Sequence, residues 1–214
     1  MILPPGGPGG PVPPGGAIPP GGPVPPGGGD GPIPPGADHG QLSVVIAPMR
    51  ARDLKSVLRI EGQVFDEPWS KRLFEEELAQ RTSRAYRAAW VGNQLVGYAG
   101  QMSIDDEAHV NNVGVDPLWQ GRRLGTLLMC DLVRTALARG SAHLTLEVRV
   151  GNEPAIALYR RFGMAPVGVR PNYYPQGGDA LIMWVRDIDT GEYAQRLSAI
   201  EGSLAPFVLV DRRT

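Results

Sequence analysis

Apolar positions along the chain change spacing at regular points, and each change marks the edge of an element. Residues 43–48 alternate and are rich in β-branched side chains, which predicts a short strand. From Arg50 to Phe65, the positions Leu54, Val57, Leu58, Glu61 and Val64 fall near helical spacing and predict an amphipathic helix. Ser70 stands as N-cap of a second helix through Leu73, Phe74 and Leu78. Arg84 to Val91 and Leu95 to Met102 read as strands joined across Gly92-Asn93, a hairpin signal. Ala108 to Val115 is a further strand, ended by Asp116-Pro117. After the polar stretch Trp119 to Arg123, the residues Leu124, Leu127, Leu128, Leu132 and Leu137 predict the inner face of a helix. His143 to Val148 is a strand, and Asn152 opens a helix that carries Ile156, Tyr159 and Phe162 and stops at Gly163. Two last strands, Ala165 to Val169 and Ala180 to Val185, flank a loop holding Tyr173 and Tyr174. This order predicts an α/β fold: a mixed, mostly antiparallel sheet flanked by helices on both faces.

The two ends of the chain depart from this pattern. Of the first 40 positions, 14 are Gly and 14 are Pro, so residues 1–41 are expected to form a disordered arm outside the domain. Pro-Pro-Gly-Gly recurs at Pro13, Pro19 and Pro25, and its paired glycines break the every-third-residue register that a collagen helix needs. A ligand for a proline-reading module is the other reading of this arm. The folded domain is expected over residues 42–188. In the extension 189–214, Tyr193, Leu197, Ile200 and Leu204 lie at helical spacing before the apolar run 207–210. That tail is expected to pack on the domain as an extra helix and strand, the rival being a partner-binding segment.

Charge and cysteine content narrow the classes. The net charge of -1 and pI near 6.3 call for neither direct nucleic-acid binding nor an anionic membrane. No apolar run approaches the roughly 18 residues of a membrane span. Cys130 is the only cysteine, which fits a reducing compartment, and the expected location is cytoplasmic. His39, His109 and His143 are scattered without ligand spacing, so no metal site is expected.

The strongest local feature is a strand, then Gln120-Gly-Arg-Arg-Leu-Gly125, then a helix. A loop entering a helix start presents unpaired N–H groups and partial positive charge, which suits a pyrophosphate. Gly121 and Gly125 permit close backbone approach, while Arg122 and Arg123 add charge. An ordinary polar connection explains the stretch equally well by itself. Neither a P-loop nor a dinucleotide fingerprint fits its spacing.

Several segments taken in order resemble the GNAT superfamily of acetyltransferases and, within it, the RimI-like ribosomal-protein alanine N-acetyltransferases. They are residues 113–117, 120–125, Leu146-Glu-Val-Arg149, 152–159, 162–164 and 170–175, with the earlier Phe65 to Ser70 on the substrate side. The resemblance implies acetyl-coenzyme A as co-substrate and a protein N-terminal α-amine as acceptor, the N-terminal alanine of a small-subunit ribosomal protein. It implies Glu147 as general base and Tyr159 as general acid. Val113, Gly114 and Val115 would hold the acetyl-pantetheine part, Gly121, Arg122, Arg123, Leu124, Gly125 and Thr126 the pyrophosphate, and Asn152 a further part of the coenzyme. Trp69, Tyr173 and Tyr174 would face the acceptor. Where the superfamily pattern has a glycine, this chain has Arg123; it is either strained in a left-handed conformation or free to reach a phosphate.

Plainer readings stand beside these. Glu147 can pair with Arg149 or Lys55, Tyr159 can be a packing aromatic, and Cys130 reads as a small core residue rather than a nucleophile. A lysine or small-amine acceptor is a second enzyme reading. A non-catalytic coenzyme-binding regulator is the reading from another class.

Overall fold

The computed structural model describes residues 41–213. The Pro/Gly-rich arm, His39 and the expectations attached to them lie outside these residues. The described chain forms β1 (Leu42–Pro48), α1 (Leu54–Val64), α2 (Lys71–Ala79), β2 (Arg84–Val91), β3 (Gln94–Ile104) and β4 (Glu107–Val115). These are followed by α3 (Leu124–Ala138), β5 (His143–Arg149), α4 (Glu153–Arg161), β6 (Ala165–Arg170) and β7 (Ala180–Val185). The extension adds α5 (Gly191–Gly202) and β8 (Val208–Arg212). Short 3-10 turns at Ala51–Asp53 and Pro117–Trp119, which apolar spacing does not signal, lead into α1 and follow β4.

The eight strands form one sheet in the order β6-β7-β5-β4-β3-β2-β1-β8. All neighbours are antiparallel except β4 with β5 and β1 with β8. Alternation along the strands divides the core in two. On one face Tyr86, Ala88 and Tyr98 meet Leu54, Val57, Ile60 and Phe74 from α1 and α2. On the other, Ala89, Ala99 and Val113 meet the Leu-rich face of α3 together with α4 and α5. The expected mixed sheet with helices on both faces is therefore what forms. In α1, Ile60 is buried where spacing favoured Leu58, which is half-buried. Cys130 is buried in α3 and burial raises its thiol to about 12, so it behaves as a core residue.

One junction of the sheet is incomplete. β4 and β5 pair only from Glu107 with His143 to His109 with Thr145. Beyond that point both strands continue, β4 on β3 to Val115 and β5 on β7 to Arg149, without pairing each other. The sheet therefore splits at the carboxyl ends of its two central parallel strands, the place where open α/β sheets take ligands. Among the described residues no helix is long and apolar enough to cross a membrane.

Candidate active site

The split brings the predicted residues to one end of the sheet. Val113 and Val115 have largely buried side chains, leaving their backbone as the part that faces the gap left by β5. Gly114 is required for a packing reason: a Cβ there would stand 2.5 Å from the Tyr98 ring. Below the strand, buried Asp116 accepts from Leu118 N–H at 3.0 Å and from Arg59 at 2.7 Å, tying the turn to α1. The Gln120 amide donates to Val115 C=O at 3.1 Å, folding the loop back on its strand.

The start of α3 is open. Ser70, Asn152 and Thr190 each cap the helix that follows them with a side-chain oxygen, whereas Arg123 at the N-cap of α3 makes no such bond. First-turn N–H groups have no carbonyl four residues back, so an anion is their natural partner. Gly121 has φ 74° with open space where a side chain would be. Arg123 itself is left-handed, φ 64° and ψ 12°, which costs about 1 kcal/mol or more for a residue with a Cβ. The strained alternative is thus the one realised. The guanidinium of Arg123 lies over the Phe207 ring at 4.0 Å, and that of Arg122 over Trp119 at 5.3 Å. Leu124 is buried in the core, so only its backbone can serve a ligand, and Thr126 Oγ1 accepts from Arg161 at 3.4 Å.

Across the split, Glu147 has partners that differ from those weighed in the sequence. Neither Arg149 nor Lys55 pairs with it. Its carboxylate lies 3.0 Å from His109 Nε2 and 3.2 Å from Arg170 Nη2. Burial pushes its pKa up, but the His109 hydrogen bond and charge and the Arg170 charge outweigh burial and hold it below the ordinary carboxylate value. Tyr159 is the reverse case: burial raises its phenol to about 12. One group is an ionised acceptor at neutral pH and the other keeps its proton, a separation that acid–base chemistry uses. Burial also raises Tyr174; Arg149 pulls it down, while Tyr173, Tyr159 and Glu147 push it up, so these groups share one neighbourhood. Asn152 is buried at the start of α4 and its side chain accepts from Ala155 N–H at 3.4 Å.

The acceptor side is formed by two segments in contact. Asp66 lies 3.7 Å from Arg149, and Glu67 accepts from Gln176 N–H at 3.2 Å, joining the loop after α1 to the loop after β6. Tyr173 and Tyr174 stack edge to face at 5.5 Å, with Arg170 and Arg149 over their respective rings. Trp69 requires a correction. It is 3% exposed, and its ring packs on Phe74 and Tyr86 inside the α1–α2 core, so it supports this wall from behind rather than lining it. His109 and Arg170 are the site residues that sequence reasoning missed as such.

A cavity of about 860 Å³ opens elsewhere, at the C-terminal end of α3, lined by Met49, Arg84, Tyr86 and Arg139 among others. It contains none of the candidate residues, and Arg84 and Tyr86 there are already bonded to Glu77. Among the described residues no group of three or more His, Cys, Asp or Glu side chains could hold a metal ion.

The chain is similar in sequence and fold to known proteins. Residues 54–164 match the Acetyltransferase (GNAT) family. The chain is 39% identical over 147 residues to the N-alpha-acetyltransferase RimI of Mycobacterium tuberculosis, covering 65% of this chain and 90% of that protein. It is 33% identical over 141 residues to the ribosomal protein bS18-alanine N-acetyltransferase of Escherichia coli strain K12, covering 64% and 94%. The crystal structure of the ribosomal-protein-S18-alanine N-acetyltransferase from Escherichia coli superposes with TM-score 0.63 at 32% identity, covering 70% of this chain and 97% of that one. The family resemblance read from the motifs is borne out: the chain belongs to the GNAT acetyltransferase family and is an N-acetyltransferase.

Proposed function

We propose that the chain transfers the acetyl group of acetyl-coenzyme A to a protein N-terminal α-amine, the acceptor being the N-terminal alanine of a small-subunit ribosomal protein. The observation that carries this reading is the opposed pair at the split sheet: Glu147 held ionised by His109 and Arg170, and Tyr159 held protonated by burial. The names of the relatives at 33–39% identity support the acceptor class.

In this reading residues 42–188 carry the reaction and the arm 1–41 is dispensable for it. The open start of α3 and the side chains of Arg122 and Arg123 receive the pyrophosphate, with Asn152 on α4 beside the coenzyme. The backbone of Val113, Gly114 and Val115, paired to β3 but not to β5, receives the pantetheine and polarises the thioester carbonyl. An α-amine has a pKa of about 7.7–8.0 and is mostly protonated at neutral pH. The ammonium first gives one proton to solvent. The neutral nitrogen then bonds the carbonyl carbon, becomes far more acidic, and releases a second proton that the Glu147 carboxylate accepts directly or through water. The C–S bond breaks, the electron pair stays on sulfur, and the Tyr159 hydroxyl donates to it. Half-buried Tyr173 forms the wall against which the acceptor peptide lies; Tyr174, only 3% exposed, backs that wall as Trp69 does rather than lining it.

The test uses peptides. A peptide beginning with alanine should be acetylated at its free N-terminus, while the same peptide with a blocked N-terminus and an internal lysine should not. Product on the lysine alone would replace the acceptor assignment. Glu147→Gln should lower kcat by about 10²–10⁴-fold with coenzyme binding retained; transfer at the wild-type rate would remove Glu147 as base.

A further inference from the structure

The C-terminal extension reaches the loop that the proposed function gives to the coenzyme. Phe207 precedes β8, and its backbone is fixed on both sides: its N–H donates to Leu204 C=O at 2.8 Å and its C=O accepts from Leu42 N–H at 2.8 Å. Phe207 is nevertheless 48% exposed, an unusual state for a large apolar ring with a fixed backbone. The group over that ring is the Arg123 guanidinium, 4.0 Å from its centre. A second tie runs in parallel. Arg161, at the end of α4, donates to Thr126 in the first turn of α3 at 3.4 Å and to Ser203 of the extension at 3.2 Å. The body of the extension is anchored independently by Arg134 of α3, which forms a two-pronged pair with Glu201, and by Arg212, which reaches both Glu201 and Asp131.

We propose that Phe207 is a positioning residue for coenzyme binding: its ring holds the guanidinium of left-handed Arg123 at the mouth of the open α3 start, where the phosphates of acetyl-coenzyme A arrive. The inference rests on the reading of residues 121–126 as the phosphate loop. Its physical basis is the conformation of Arg123. A glycine at this position would adopt φ 64° without strain and would need no support. An arginine brings both strain and a long, freely rotating charge, and an anchored aromatic face restrains that charge to one region. The extension thereby becomes part of the coenzyme site, and a chain with arginine at this position depends on it.

The experiment measures coenzyme A binding by calorimetry, with kcat and KM for acetyl-coenzyme A, on full-length wild type, Phe207→Ala, Phe207→Leu, Phe207→Tyr, Arg123→Gly and the double variant Arg123→Gly with Phe207→Leu. Phe207→Leu keeps apolar bulk without an aromatic face, so it stays informative if Phe207→Ala folds poorly. Loss of the stack should raise Kd and KM for the coenzyme about two- to fivefold, with kcat changed less than about twofold. Phe207→Tyr should restore wild-type affinity. In the Arg123→Gly background, Phe207→Leu should change nothing. Wild-type affinity in Phe207→Leu, or an equal loss in both backgrounds, would overturn the inference while leaving the coenzyme site in place. Failure of the wild type to bind coenzyme A would instead overturn the proposed function.

Discussion

The corners that precede α2 and α3 meet the same requirement in opposite ways. Each begins a helix whose first N–H groups lack carbonyl partners. At the α2 corner Ser70 accepts from Leu73 N–H, the Glu61 carboxyl accepts from Trp69 N–H at 3.0 Å, and the Trp69 ring is packed against Phe74 and Tyr86. At the α3 corner there is no side-chain cap, left-handed Gly121 and Arg123 flank Arg122, and the nearby side chains are cationic. The first corner satisfies Leu73 N–H and Trp69 N–H internally; the second has no side-chain cap, as the proposed phosphate role requires. Side chains cap α2, α4 and α5 but neither α1 nor α3, and of the two uncapped starts that of α3 is also left-handed and basic, which suits the phosphate role proposed for it.

The largest effect that sharpens this contrast comes from Glu61. Its carboxyl is buried, its Oε2 has no hydrogen-bond partner, and burial raises its pKa from 4.5 to about 8 despite the Trp69 hydrogen bond. The sign follows from linkage. Below pH about 4.5 the group is protonated in both folded and unfolded chains. As pH rises toward 8 only the unfolded chain ionises it, so folding loses roughly 3–5 kcal/mol across that window. Glu61→Gln keeps an oxygen for the Trp69 N–H and does not titrate. Urea unfolding of this variant should therefore be less sensitive to pH between 5 and 8 than wild type, with the variant gaining at the alkaline end. An identical pH slope in both proteins would show that the corner is not closed by a neutral carboxyl.

The converse change attacks the open corner. Arg123→Asp puts an anion where the phosphates are proposed to sit, in a residue type that tolerates left-handed angles. Coenzyme A affinity should fall about tenfold or more through reversed charge, while the melting temperature holds or rises as the carboxylate complements the helix dipole. If affinity survived the reversal, the loop would not be the phosphate site.

Much of this was legible in the chain because apolar spacing runs unbroken from one element to the next, and every expected helix and strand of the domain formed. The charged position that broke the stripe of α1, Glu61, was visible as a helix-face residue, but its role depends on Trp69 folding back eight residues later. His109 looked like an isolated histidine because its partner lies on β5, and only the short β4–β5 pairing brings the two together. Arg170 reaches Glu147 across β7, an adjacency set by strand order and invisible to local spacing. The resemblance of residues 65–70 to a substrate-side segment points Trp69 toward the acceptor but carries no information on ring direction; the α1–α2 core holds the ring. The Arg123–Phe207 stack joins a motif to a tail with no local signal linking them.

The smallest effect is the cleanest discriminator between the two corners. Ser70→Ala removes the side-chain oxygen that accepts from Leu73 N–H and leaves that donor to solvent, a loss of about 1 kcal/mol. The α2 start faces no proposed ligand, so this cost should appear wholly as lower stability in denaturant unfolding, with kcat and coenzyme KM unchanged. Arg123→Asp should show the opposite division, since it completes a cap and removes a binding site. If Ser70→Ala also weakened the coenzyme, capping at α2 would be transmitted through the Arg59–Asp116 pair that links α1 to the turn before α3, and the corners would be one coupled unit. An effect confined to stability establishes them as separate solutions, one structural and one functional.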